Sequence, residues 1–219
     1  MAIDWDLLDK IIYINLKERS DRRKSIEREL SALSVPGDKI VRFEARRHLL
    51  GPIGRAQSHR DVLEMAIANG WGNILVLEDD MVFSQGAEAE NRLRYFLHVL
   101  AAVSWDAALL CANYQKTIAL KATDKVLKLV EAYCPCAYVV HGNYQIPLLE
   151  CFDGAVKRLL QGASDGMCAL GEAWLPLMQR DSWLGIYPVA GAPVAGKSNI
   201  KNNTATHTAS FYKDIEDLV

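Results

Sequence analysis

The sequence lacks any apolar run of about 18 residues, the length a membrane-crossing helix needs, so no transmembrane span is expected. The opening MAIDWDLLDK is acidic and has no basic stretch followed by an apolar one, so no secretory leader is expected either. An excess of one charge sign is also missing. The 25 basic and 27 acidic residues give a net charge of −2, which argues against a domain that coats a polyanion and leaves room only for a local basic patch. Cysteine is scarce and odd in number: Cys111, Cys134, Cys136, Cys151 and Cys168 fit no disulfide framework and no zinc-ligand spacing. They are therefore expected to be buried thiols in a reducing compartment, most simply the cytoplasm. No G-x-x-x-x-G-K-S/T loop occurs, which disfavours a P-loop enzyme. Internal repeats and low-complexity tracts are absent as well.

What remains is an ordinary globular composition. Half of the 219 residues are hydrophobic and 24% are charged, enough to build one large core. Strand and helix patterns alternate. Ile11-Ile12-Tyr13-Ile14 reads as a buried strand, and Ser20 or Asp21 can cap a helix with Ile26, Leu30 and Leu33 on one face. Pro36-Gly37 ends that helix, and Ile40-Val41-Arg42-Phe43 is a second strand. Gly51-Pro52-Ile53-Gly54 reads as a turn, followed by a helix over about 57–69. Ile74-Leu75-Val76-Leu77 is apolar throughout, as in a strand covered on both sides. A helix with Leu93, Phe96, Leu97 and Leu100 aligned comes next. Trp105 to Cys111 and Val126 to Val140 read as strands, Tyr144 to Leu160 and Met167 to Met178 as helices, and Leu184 to Tyr187 as a late strand. Such alternation predicts an α/β architecture with a mostly parallel central sheet flanked by helices, with ligands at the carboxyl ends of the strands.

Glu78-Asp79-Asp80 follows the third strand without a break. Adjacent carboxylates repel unless a cation or hydrogen-bond donors compensate, and hard oxygen ligands in a row suit Mg²⁺ or Mn²⁺. A solvated, salt-bridged acidic turn is the plainer alternative. After the first strand comes Asn15-Leu16-Lys17-Glu18-Arg19-Ser20-Asp21-Arg22-Arg23. Cations at a helix N-terminus oppose its dipole, so Arg19 and Arg22 point to an anion held among them. For Arg23, pairing with Glu27 one turn on serves equally well.

These segments, with Gly54-Arg55-Ala56-Gln57-Ser58-His59, resemble glycosyltransferase family 25, which includes lipooligosaccharide galactosyltransferases and collagen hydroxylysine glycosyltransferases. The resemblance is carried by Ile14-Asn15-Leu16, Arg19-Ser20-Asp21-Arg22, the G-x-x-x-S-H helix start at Gly54 to His59, the acidic triplet and, in part, Ser198-Asn199-Ile200. It runs over residues 9 to 200, and its specific motifs lie in the first eighty residues.

The resemblance implies a single GT-A-like nucleotide-sugar domain over 1–219. Its donor half would span 9–110, its acceptor side 111–200 and a polar tail 201–219. It implies a UDP-sugar donor carrying galactose or glucose, Mn²⁺ or Mg²⁺, and inverting transfer to a hydroxyl on a glycan, a hydroxylated side chain or a modified base. Glu78 and Asp80 would act as a DXD-like pair facing metal and ribose, with His207 a further ligand candidate. Asn15, Leu16, Arg19, Arg22, Ser58, His59, Asp79, Ser198 and Asn199 would lie along the donor. His59 falls on the apolar face of its helix, so a backbone-bonded core histidine is an equal reading.

Several positions depart from the family. Lys17 stands where an acid is common and Arg55 where a cysteine is. Gly171 lies three residues before Trp174, where an acceptor base is usual, so Glu172, Asp165 and Asp181 become the candidates. Asn199 replaces a carboxylate. A sugar-nucleotide binder with weakened chemistry and a metal-dependent nucleotidyl or phosphoryl enzyme are the competing readings. Arg42, Arg46, Arg47 and His48 form a basic stretch that is either a solvated loop or a contact for phosphates of a lipid-linked glycan or a nucleic acid. Trp174 and Trp183 can stack on sugar rings or fill the core.

Overall fold

The computed structural model describes residues 3–163, 169–194 and 210–218. Asp165, Ser198, Asn199 and His207 lie outside the described residues, as does Cys168. In chain order the elements are β1 (Lys10–Asn15), α1 (Ser20–Ala32), β2 (Ile40–Glu44), α2 (Gly51–Ala68), β3 (Ile74–Glu78), β4 (Met81–Phe83), α3 (Ala87–Ala102), β5 (Ala107–Leu120), β6 (Thr123–Val140), α4 (Gln145–Leu160), α5 (Ala169–Arg180), β7 (Trp183–Ile186) and β8 (Gly191–Pro193).

Six strands form the central sheet in the order β2-β1-β3-β6-β5-β7. β1 pairs in parallel with both β2 and β3, and β5 with β7; β6 alone runs against its neighbours. The step from β1 to β2 goes one way across the sheet and the step from β2 to β3 the other. Right-handed crossovers therefore put α1 and α2 on opposite faces. The α/β architecture with a mostly parallel, helix-flanked sheet is the one expected.

The apolar runs in β1 and β3 are buried throughout, because helices cover the sheet on both sides. Helices α2, α4 and α5 pack together over one face. Beneath them Trp174, fully buried, meets Tyr138, Phe152 and Trp183 at ring separations of 6.0, 6.5 and 5.0 Å, and its indole N–H donates to the Ala132 carbonyl at 3.0 Å. Both tryptophans are thus core, and neither offers a face to a sugar.

Other expectations are corrected. Gly51-Pro52 opens α2 instead of forming a turn, because proline at the first helical positions loses no hydrogen bond. Arg19 sits at the N-cap of α1 with no side-chain cap, so neither Ser20 nor Asp21 fills that role. Leu33 lies just past the end of the helix. β5 and β6 are the arms of one long hairpin joined at Lys121-Ala122. Cys111 and Cys136 are joined across that hairpin as a disulfide, so they are not the thiols expected; Cys151 has no disulfide partner among the described residues. Two short strands escape sequence patterning: β4 and β8 pair beside the end of β3, where a Cβ on Gly191 would collide with the Val82 carbonyl.

Candidate functional site

The parallel registers Asn15↔Glu44 and Ile14↔Glu78 bring the carboxyl ends of β2, β1 and β3 to one edge of the sheet. There the acidic triplet meets the arginine-rich start of α1 and the first turns of α2. The three carboxylates serve different purposes.

Glu78, still in β3, turns toward α2. Its Oε1 accepts from Arg55 Nε at 2.6 Å and lies 3.2 Å from His59 Nε2. Arg55 also donates to the Pro135 carbonyl at 2.9 Å, which ties α2, β3 and β6 together. A carboxylate can only accept, so His59 Nε2 carries the proton and Nδ1 accepts from the Tyr138 hydroxyl at 2.8 Å. Burial lowers the His59 pKa against the pull of Glu78, so the imidazole is neutral. Burial by itself would raise the Glu78 pKa, but the Arg55 charge and the bonds from His59 and Arg55 outweigh it and hold the carboxyl at about 2.

Asp79 is buried and has both oxygens engaged. Oδ1 accepts from Arg22 Nη1 at 3.0 Å and Oδ2 from Asn15 Nδ2 at 2.7 Å. Asn15 also donates to the Arg19 carbonyl at 3.0 Å and accepts from Arg42 Nε at 3.2 Å. This asparagine is the pin between the end of β1, the start of α1 and the acidic turn. Burial raises the Asp79 pKa against the bonds from Asn15 and Arg22.

Asp80 is the incompletely satisfied member. Oδ2 accepts from Arg22 Nη1 at 3.0 Å, while Oδ1 is buried and has no hydrogen-bond partner among the described residues. Its backbone is fixed, because Val194 N–H donates to the Asp80 carbonyl at 2.8 Å just after β8. Burial, then the neighbouring charges of Glu78 and Asp79, push the Asp80 carboxyl up to about 6 despite Arg22. Three carboxylates thus face two guanidiniums, and the excess negative charge collects on Asp80.

That orphaned oxygen is the observation that fits a cation. A divalent ion of the Mg²⁺ or Mn²⁺ class commonly takes one or two protein carboxylates and completes its shell with substrate phosphates and water. Asp80 Oδ1 would hold it. Among the described residues no group of three or more acidic, histidine or cysteine side chains could hold a metal alone, so substrate oxygens are needed.

The other expected residues fall as follows. Arg22 finds its anion in Asp79 and Asp80, and Arg19 grips Asp21 through Nε and Nη2 at 3.0 and 2.9 Å. Arg23 pairs with Glu27 at 2.8 Å. Leu16 is half-buried, and its carbonyl accepts from the Arg19 N–H. Ser58 Oγ donates to the Gly54 carbonyl at 2.6 Å and accepts from the Arg46 N–H at 2.8 Å, so it braces a loop. Glu172 is exposed on α5, and Asp181 bonds Arg180 and Tyr144. A Cβ on Gly171 would lie 3.2 Å from Tyr133 Cα, so an acid there would have to push the β6 backbone away. Arg55 is the participant that residue patterning underrates. Its one signal was that a cation stands at the head of α2 where the family usually has a cysteine.

No family model and no curated protein sequence matches the chain. Among solved structures it is similar to mannose-1-phosphate geranyltransferase from Thermus thermophilus, with 14% identity, 81% of this chain and 72% of that one covered, and a TM-score of 0.46. It is also similar to an apo UDP-glucose pyrophosphorylase, with 8% identity, 84% and 74% covered, and a TM-score of 0.45. A glycosyltransferase involved in glycosylation of the major capsid of PBCV-1 shares 9% identity over 81% and 92%, with a TM-score of 0.45. The chemistry of this site has to be read from its own side chains.

Proposed function

We propose that this chain is a glycosyltransferase of the family 25 type that uses a UDP-sugar donor with Mn²⁺ or Mg²⁺. The observation that supports this most is Asp80: a fixed carboxylate at the end of β3 with one buried oxygen that has no partner among the described residues and a guanidinium on the other. Glu78 is neutralised by Arg55 and Asp79 by Arg22 and Asn15, so these two shape the turn and Asp80 meets the ligand.

When bound at Asp80, the cation supplies neutralisation of the charge that develops on a diphosphate leaving group. Arg22 already bridges Asp79 and Asp80 and would orient the phosphate oxygens beside them. Asn15 keeps the α1 start and the acidic turn in register, so the donor's diphosphate meets a pre-formed surface. An acceptor base belongs to the proposal as well. Transfer with inversion of the sugar carbon needs a general base on the face opposite the diphosphate, and of the two described candidates Glu172 is exposed whereas Asp181 is bonded to Tyr144 and Arg180, so Glu172 is the one taken.

The test is a panel of UDP-sugars with Mn²⁺, screened by thermal shift and followed by mass spectrometry for UDP release. Stabilisation and turnover by UDP-galactose or UDP-glucose is the expected result. Turnover of UTP with a sugar 1-phosphate to release pyrophosphate, with no UDP-sugar cleavage, would overturn it in favour of nucleotidyl transfer.

A further inference from the structure

The loop that joins β2 to α2 carries Arg46, Arg47, His48, Leu49 and Leu50, and every one of these residues is exposed. Among the described residues no large apolar side chain is more exposed than Leu49, at 103%, and its neighbour Leu50 stands at 62%. A single exposed leucine is unremarkable, but two in succession beside exposed arginines form a patch that water does not favour. The loop is not a loose strand of chain. Ala45 N–H donates to the Asn15 carbonyl at 3.0 Å and Arg46 N–H to Ser58 Oγ at 2.8 Å. Leu50 N–H donates to His48 Nδ1 at 3.0 Å, and the Leu50 carbonyl accepts the first bond of α2. Behind it the backbone of Gly54 presses so close that a Cβ there would lie 2.5 Å from the Arg46 carbonyl. The fold therefore commits hydrogen bonds and a glycine to holding two leucines outward.

The charges around them favour an anionic partner. Lys17 and Arg47 are exposed, the latter side chain 84% so. Among the described residues, the acids in ion pairs with the basic side chains on and beside the loop are Glu18, Glu44 and Asp61. Glu18 reaches Arg47 at 3.8 Å, Glu44 reaches Arg42 at 3.8 Å, and Asp61 is buried against Arg46 and Arg60. Short apolar tips beside basic side chains insert into a bilayer interface while the cations meet anionic headgroups. The loop also leaves the same edge of the sheet as the acidic turn, since it follows Glu44, the partner of Asn15.

We propose that residues 46–50 form a contact for an anionic lipid surface, with Leu49 and Leu50 entering the interface and Arg46 and Arg47 meeting the headgroups. The contact would hold whatever reaction the site performs, so its test needs no substrate. Full-length protein is centrifuged with vesicles of phosphatidylcholine alone or mixed with phosphatidylglycerol, at low and high salt. Binding is expected to the mixed vesicles at low salt and to weaken as salt rises. The Leu49→Ser/Leu50→Ser double variant should bind about tenfold more weakly or worse. Arg47→Ala should lose about fivefold, the effect of one basic side chain near such a surface. Both variants should keep the wild-type melting temperature, since the replaced side chains are exposed. Wild-type protein that ignores mixed vesicles would overturn the proposal. So would vesicle binding indifferent to the leucines, or a concentration-dependent dimer that dissolves in the double variant while vesicles are never bound.

Discussion

Replacing Arg55 with methionine keeps the unbranched stem of the side chain and removes its guanidinium and charge. Among the described residues Glu78 would then be left with only the His59 N–H, and the Pro135 carbonyl would lose the Arg55 donor. Breaking a buried ion pair from one side costs about 3–5 kcal/mol, because the abandoned charge stays desolvated. Here the Arg55 and Glu78 side chains are 17% and 21% exposed, so solvent relieves part of it, and the lower end, about 3 kcal/mol, applies. For a chain of this size that is a fall of about 6–12 °C in melting temperature. Adding Glu78→Gln removes the stranded charge, so the double variant should regain about half of the loss or more. The pH dependence has a definite sign. In the wild type Glu78 sits at about 2 against an ordinary 4.5, so its contribution is present above pH 4.5 and fades as pH falls toward 2. In Arg55→Met burial prevails and the carboxyl takes up a proton more readily, so the deficit against wild type should shrink between pH 7 and pH 4. Urea denaturation of the wild type, both single variants and the double variant at these two pH values reads every quantity. If the double variant is as unstable as Arg55→Met, or the deficit is the same at both pH values, the ion-pair reasoning is wrong.

Three further outcomes follow from other parts of the structure. Asp80→Asn should stabilise the ligand-free protein at pH 7 by about 1–3 kcal/mol, since a carboxyl raised to about 6 penalises folding increasingly as pH climbs from about 4 to 6 and fully above it; the gain should vanish at pH 4 in parallel melting curves. Gly54→Ala should drive a methyl into the Arg46 carbonyl, costing about 1–3 kcal/mol by chemical denaturation and exposing the 46–50 loop to protease. Alkylation of unfolded, unreduced protein should label Cys151 and leave Cys111 and Cys136 unmodified until a reductant is added, read by mass spectrometry.

The parallel half of the sheet was legible because its signals are local. Four consecutive apolar residues in each of β1 and β3 have few structures open to them other than a doubly covered strand, and the carboxylates that follow β3 must then sit at the strand end. The helix stripe of Leu93, Phe96, Leu97 and Leu100 came out buried for the same reason. What was hidden depends on distant partners. The β5–β6 hairpin turns at Lys121-Ala122, which carries none of the glycine or asparagine that marks such turns. β4 and β8 are three residues each, too short for any period to show. In the site, the acidic triplet was evident, but the division of labour within it was not. Only the fold decides that Arg22 reaches residues fifty-seven and fifty-eight positions away while Arg55 takes Glu78. His59 illustrates the limit: the sequence left it between core and ligand, and the structure makes it a buried neutral bridge between Tyr138 and Glu78.

The claim that carries the functional reading is that Asp80 Oδ1 completes a cation's shell together with the oxygens of a nucleoside diphosphate. Isothermal titration of UDP into wild-type protein and into Asp80→Asn, each with and without Mn²⁺, addresses it directly. The expected result is tight binding in the wild type that depends on Mn²⁺ and disappears in a variant that is folded and more stable. Binding of equal strength without the metal, or in Asp80→Asn, would contradict it.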